Sequence, residues 1–222
     1  HSLFPIQIPN PMSTYKAPLA DIRFALFDVL DSERTFSNLG FADANRELID
    51  AVLEESARFA ETVLAPLNRI GDTHGASYDK ATGKVTTTPG FKEAYAQFAA
   101  GGWTGLESPV EYGGQGMPHT MGTAMKEMVN AANLAWGNFP LLSHGATEAL
   151  LHHGEEWQKQ AFLAPMVEGR WTGTMCLTEP HCGTDLGLLK TRAEPHPDGS
   201  YTITGTKIFI TAGEHDMTEN IV

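Results

Sequence analysis

Cysteine is scarce in this chain. Two among 222 residues make no disulfide framework, so a reducing compartment and a cytoplasmic location are expected. Basic residues are outnumbered as well, with 15 Lys and Arg against 27 Asp and Glu and a net charge of -12. A surface of that sign repels phosphate backbones and anionic lipid, which argues against nucleic-acid and membrane-surface partners. Long apolar runs are missing. Gly, Pro or a charge interrupts each one before the roughly 20 residues that a bilayer crossing needs. Internal repeats and low-complexity tracts are also absent. At 41% hydrophobic content the chain has enough apolar material for a core, and its length predicts one large domain or two small ones.

The first residues, His1 to Pro11, carry no Met, no basic n-region, and three prolines at Pro5, Pro9 and Pro11. They do not read as a signal peptide. Met12 is the expected native start, with 1–11 a vector remnant or an upstream misreading.

What is present is first helical. Ile22, Phe24, Ala25, Leu26, Val29 and Leu30 recur at helical spacing over 20–30. Leu48, Ile49, Val52, Leu53, Phe59, Ala60, Val63, Leu64 and Leu67 form a broader stripe, with Asp43 as the expected N-cap. Residues 72–87 are polar and turn-rich and are expected to be a loop. Thr88-Pro89 reads as an N-cap and N1 pair for a helix carrying Phe91, Tyr95 and Phe98 and closed by Gly101-Gly102. After the Gly-rich turn 111–116, Met117, Met121, Met125 and Met128 return to helical spacing, as core filler rather than a cofactor box. Two further helices are expected over 141–153 and 155–167.

At Trp171 the period changes. Residues 171–178, 188–196, 200–205 and 207–212 have strand composition, and Pro197-Asp198-Gly199 supplies a tight turn. A helical block followed by strands predicts an α+β fold: an all-α N-terminal helical domain, then the first strands of a β domain. The expected divisions are an N-terminal extension over 12–40, a helical domain over 41–170 and a partial β domain over 171–222. Ending on Ile221-Val222 directly after strands, the chain is expected to continue.

The run Met175 to Gly187, MCLTEPHCGTDLG, concentrates the chemistry. A zinc site has only Cys176, His181 and Cys182 to draw on, one ligand short of a structural set, and no metal is expected. Cys176 and Cys182 straddle a proline and do not have C-x-x-C spacing, so a redox pair is also disfavoured. The plainer reading takes both cysteines as small buried hydrophobes and His181 as a loop residue. Thr178-Glu179-Pro180 followed by Gly183-Thr184-Asp185 has a different character. A strand that ends in Thr and enters a Gly-bearing turn offers hydroxyls and free N–H groups to a planar ring edge or a phosphate.

This run resembles the signature of acyl-CoA dehydrogenases, in which a strand ends in Thr-Glu-Pro and continues through Gly-Ser-Asp. EYGGQG, GEEWQKQAFLAPMVEGRW and TGTKIFITAG also occur in family order, so the resemblance covers about 45–222. Tyr15 to Phe24 further resembles the extension of a subgroup that includes methylthiopropanoyl-CoA dehydrogenases. The resemblance implies FAD as cofactor. Main-chain groups of Met175 and Leu177 and the Thr178 hydroxyl would meet the flavin's pyrimidine edge. Gly183 and Thr184 would lie near the pyrophosphate and the CoA chain, with Thr184 also touching substrate. Phe209-Ile210-Thr211 matches the family's Trp-Ile-Thr, placing Phe209 beside the flavin and Thr211 near N5. Donors at those positions favour the anionic reduced ring.

The chain departs from the family pattern at Cys182, Thr184, Phe209 and Ala212-Gly213, where Ala, Ser, Trp and Asn-Gly are common. Thr184 keeps the hydroxyl and Phe209 the aromatic wall. His215 is expected to be structural, and Glu179 and Asp185 to cap and fix the loop. The implied reaction is α,β-dehydrogenation of an acyl-CoA to a 2-enoyl-CoA in fatty acid metabolism, with electrons passing to an electron-transfer flavoprotein. The family's base, a Glu on a C-terminal helical domain, would lie beyond residue 222, so no catalytic residue is expected here and the chain by itself would be inactive. A homo-oligomer is implied for the full-length protein, and acyl-pocket residues are expected near 138–142 and on the Met-bearing helix. The competing readings are a non-catalytic acyl-CoA-binding or scaffolding relative and an acyl-CoA oxidase on the same fold.

Overall fold

The computed structural model describes residues 15–222, so the readings that touch 1–14 lie outside the described residues. Leu19–Arg23 (α1) runs into a wide turn over Phe24–Val29, and Ser32–Asn38 (α2) follows. This extension lies on the next helix through two anchors. Lys16 Nζ reaches Glu61 Oε2 at 2.6 Å, and Arg23 donates to Asp50 and Glu54 at 2.8 and 2.7 Å.

Arg46–Phe59 (α3) and Ala65–His74 (α4) form one long rod joined by a π-helical turn over Ala60–Leu64. Pro66, in the first turn of α4, has no N–H to give back along the helix, and widening the turn just before it absorbs the defect. The N-cap of α3 is Asn45, whose side chain accepts from Leu48 N at 3.0 Å, not the expected Asp43. The expected loop over 72–87 is also corrected. After Gly75 the chain makes an antiparallel hairpin, Ser77–Asp79 (β1) with Lys84–Thr86 (β2), whose turn is held by Asp79 accepting from Ala81 N and Thr82 Oγ1. Such short exposed strands carry no apolar alternation for a reader to find.

Phe91–Ala100 (α5) starts three residues beyond the expected Thr88 cap. Gly90 is the N-cap at φ 89°, a backbone region open to glycine, and a Cβ there would press on Leu67. Short 3₁₀ turns at Trp103–Gly105 and Val110–Tyr112 lead into His119–His153 (α6). This helix joins segments expected to be separate. Its break is at Asn133 (φ -160°, ψ 87°), where the side chain accepts from Trp136 N at 3.0 Å and donates to Leu64 O at 3.3 Å. Asn133 thereby caps the second half of α6 and ties it to the α3–α4 rod. Glu156–Val167 (α7) begins as expected, with Glu155 N donating to Gln158 Oε1 at 2.8 Å.

The core is where these helices meet. Trp136 is fully buried, edge-on to Phe98 at 5.2 Å, with Phe59 and Tyr95 around it and its indole N–H donated to Phe91 O. Met117, Met121, Met125 and Met128 are all buried, as core filler should be.

Beyond 170 the β structure is sparser than expected. Trp171–Thr172 (β3) pairs in parallel with Asn220–Ile221 (β6), and Arg192–Pro195 (β4) pairs antiparallel with Tyr201–Thr204 (β5). Residues 173–178 and 207–212 are irregular, which corrects two expected strands. Phe209 and Ala212 take left-handed φ of 55° and 56°, and a strand cannot continue through such residues.

Candidate functional site

The irregular segments 174–178 and 207–211 lie side by side and run antiparallel. Thr174 Oγ1 donates to Thr211 O at 2.6 Å, Ile208 N to Thr178 O at 2.9 Å, and Lys207 Nζ to Leu177 O at 2.9 Å. The turn that follows Thr178 is closed by reciprocal bonds between Glu179 and Cys182. Gly183 comes back over Thr178, so that a Cβ on it would lie 3.6 Å from Thr178 Cγ2.

Glu179 holds this assembly from inside. Its side chain is 2% exposed, and the carboxylate accepts from Lys190 N at 2.8 Å, Thr191 N at 2.9 Å and Lys207 Nζ at 2.9 Å. Hydrogen bonds from Thr191, Lys207 and Lys190 keep its carboxyl far below the ordinary Glu range. Three stretches of chain, 177–182, 188–191 and 205–211, are thus pinned to one carboxylate. The expectation that Glu179 fixes the loop fits this geometry, and so does the cap assigned to Asp185, whose Oδ1 accepts from Gly187 N at 3.1 Å.

Of the residues expected to bind cofactor, Leu177, Thr178, Phe209 and Thr211 sit on these pinned stretches, and Met175, Gly183 and Thr184 flank them. Met175 and Phe209 are exposed, Phe209 to 86%. Gly183, Thr184 and Thr211 are exposed, and Leu177 and Thr178 are half-buried. Phe209, 86% exposed on a left-handed backbone, and the exposed Met175 leave apolar side chains uncovered on these two segments. Exposed apolar side chains and threonine hydroxyls on two tied segments fit a planar ring system with a polar edge.

Glu179, His181 and Cys182 offer ligand atoms within 4.8 Å of one another among the described residues. Cys176 is not part of that group, and it is exposed rather than buried as expected, whereas Cys182 is buried. A cation there would have to displace the Lys207 ammonium from Glu179. His181 is otherwise engaged, its Nε2 2.9 Å from Leu188 O.

The loop 213–219 latches this site to the helices. Asp216 Oδ1 accepts from Thr87 N at 3.0 Å and Thr87 Oγ1 at 2.7 Å. His215 is buried against Phe139 and accepts from Met217 N at Nδ1, which puts its proton on Nε2, 2.9 Å from Thr172 Oγ1. Burial lowers its pKa, opposed by Glu214 and Asp216. It is a structural residue, as expected. Sequence reasoning gave no role to Lys207, Thr174 or Asp216. Lys207 lies inside the quoted TGTKIFITAG, but its partners are 28 and 30 residues away and nothing local names them.

Residues 47–170 match the family model for the acyl-CoA dehydrogenase N-terminal domain. The chain belongs to the acyl-CoA dehydrogenase family. It is 45% identical over 214 residues to a 3-methylmercaptopropionyl-CoA dehydrogenase of Ruegeria pomeroyi, covering 94% of this chain and 35% of that protein. A broad-specificity linear acyl-CoA dehydrogenase of Mycobacterium tuberculosis is 34% identical, with 95% of this chain and 34% of that protein covered. Among solved structures, butyryl-CoA dehydrogenase from Megasphaera elsdenii superposes with a TM-score of 0.63 at 30% identity, over 74% of this chain and 41% of that chain. The chain thus spans about a third of the length of the curated relatives it matches. In this family setting the α+β architecture is that of the acyl-CoA dehydrogenase N-terminal helical domain with a few strands after it. Among the described residues no helix is long and apolar enough to cross a membrane.

Proposed function

We propose that this chain is part of an FAD-dependent enzyme that removes hydrogens from Cα and Cβ of an acyl-CoA thioester to give the 2-enoyl-CoA. The observation that carries the reading is the pair of tied segments 174–178 and 207–211, with Met175, Phe209 and Thr211 exposed, in a member of the acyl-CoA dehydrogenase family. Bound FAD would supply the acceptor for the hydride that leaves Cβ. The chain's residues would supply position and polarity. Phe209 and Met175 would cover the apolar part of the ring. The main chain at Met175 and Leu177, with the Thr178 and Thr211 hydroxyls, would meet its polar edge. Gly183 and Thr184 would run beside the pyrophosphate and the CoA chain, Thr184 touching substrate as well.

The α-proton needs a base with a pKa near working pH. Glu179 does not qualify, since it is buried, bonded to three donors and held far below the ordinary range. We assign no catalytic residue within 1–222 and expect the base from the part of the protein that the longer relatives possess. The extension over 12–40, helical domain over 41–170 and β part from 171 are proposed as before. The acyl group is proposed from the relative at 45% identity, whose name gives a 3-methylmercaptopropionyl thioester. An electron-transfer flavoprotein is the proposed electron acceptor, since one structural neighbour at 29% identity bears that name. A cytoplasmic homo-oligomer completes the proposal.

The test uses protein expressed from the full reading frame. It should purify yellow, and its visible flavin band should bleach when an acyl-CoA is added without oxygen. Colourless protein, or a band indifferent to every acyl-CoA, would sink the reading.

A further inference from the structure

Lys207 bridges two acceptors on the facing stretch. Its ammonium donates to Leu177 O at 2.9 Å and to Glu179 Oε1 at 2.9 Å. The next residue continues the contact, since Ile208 N donates to Thr178 O at 2.9 Å. The carbonyls of Leu177 and Thr178 are both taken up in this way by the segment that carries Lys207. The N–H groups of Met175, Cys176, Leu177 and Thr178 are not, and find no acceptor among the described residues.

An ammonium against a carbonyl oxygen acts on the far side of the same peptide unit. The Leu177 carbonyl and the Thr178 N–H belong to one conjugated group. A positive charge at the oxygen draws electron density from the nitrogen and makes its N–H a stronger donor, as hydrogen bonds in a chain polarise one another. The Glu179 carboxylate is itself an acceptor and makes no bond to that oxygen. It reduces the ammonium's charge from behind, held in place by Lys190 N and Thr191 N.

We infer that Lys207 is a positioning residue that acts through the Leu177–Thr178 peptide, strengthening the Thr178 N–H as a donor to the polar edge of bound FAD and raising the flavin's midpoint potential. Glu179 sets how much of the ammonium's charge the peptide feels. The inference rests on the proposed function and adds the charge that tunes the electron acceptor. It makes opposite demands on the two partners. Without the ammonium the donor weakens and the potential falls. Without the carboxylate the ammonium is unbalanced and the potential rises. The Lys207 side chain is 21% exposed, so water keeps it charged when the carboxylate is gone. A pair that served only to hold the loop would move the potential the same way from either side.

The test uses protein from the full reading frame and reads the flavin's midpoint potential against a reference dye, with no acyl-CoA present. Relative to wild type, Lys207→Met should lower the potential and Glu179→Gln should raise it. Each change should alter the equilibrium constant for reduction about fivefold, ~20 mV for a two-electron couple. Lys207→Arg keeps the charge and should stay nearer to wild type than Lys207→Met. Because Lys207→Met leaves a buried carboxylate unpaired, the double variant Glu179→Gln/Lys207→Met carries the same measurement if the single one does not fold, and it should also lie below wild type. Potentials that do not move, or that move the same way with and without Lys207, overturn the inference, as does loss of flavin from every variant. A wild-type protein without flavin overturns the proposed function itself, and this inference with it.

Discussion

Glu179 and Lys207 matter to the site although neither faces outward from it. Replacing Glu179 by Gln keeps the shape and removes the charge, leaving the Lys207 ammonium without its counterion. Because folding depresses the Glu179 pKa, its contribution is present above the unfolded value of 4.5 and is lost as pH falls below that value. Glu179→Gln should therefore melt several degrees below wild type at neutral pH, and the gap should narrow in acid. A constant gap would show that the charge is not what stabilises. Phe209 is the opposite kind of residue. It is 86% exposed, so Phe209→Ala should change unfolding free energy by no more than about 0.5 kcal/mol. The same variant of the full-length protein should retain less FAD through gel filtration. Unchanged retention would remove Phe209 from the proposed wall.

Among the elements, α6 shows where pattern reading stops. Its Met stripe and its C-terminal half are both legible as helix, but their junction is not. Asn133 lies in the run Asn130 to Trp136, which has no Gly or Pro to announce a break. The break exists because Asn133 finds Leu64 O across the core and Trp136 N along the helix. Asn133→Ala removes a cap and takes the acceptor away from the buried Trp136 N–H, which should cost about 2 kcal/mol in urea denaturation. A loss within error would mean that the kink is set by packing alone. The expected strands fail over 173–178 and 207–212 for a related reason. Their β-branched composition is genuine, yet Phe209 and Ala212 adopt left-handed backbone, and Lys207, Thr174 and Ile208 tie the segments without a regular ladder. Side-chain bonds across the gap outweigh propensity at these positions.

At the scale of the whole molecule, the loop 213–219 joins the β part to the helices. Asp216 meets Thr87 across 129 residues, Met217 is buried with the helical core, and His215 links Phe139 to Thr172. Asp216→Ala should raise amide hydrogen exchange over 213–219 and around Thr87 while leaving α3 and α6 protected. A uniform rise across the chain would mean that the latch is part of the global unfolding unit instead.

The sequence by itself determined the order of helices, the change of period at Trp171, and the family through MCLTEPHCGTDLG and its companion motifs. These are legible because periodicity and tight-turn chemistry act over a few residues. Tertiary structure decided which buried group holds the site together and which cation pairs with it. Lys207 finds Leu177 over 30 residues and Glu179 over 28. Pairings at that separation depend on the path of the chain through space, and side-chain chemistry alone leaves each charge several equally good partners.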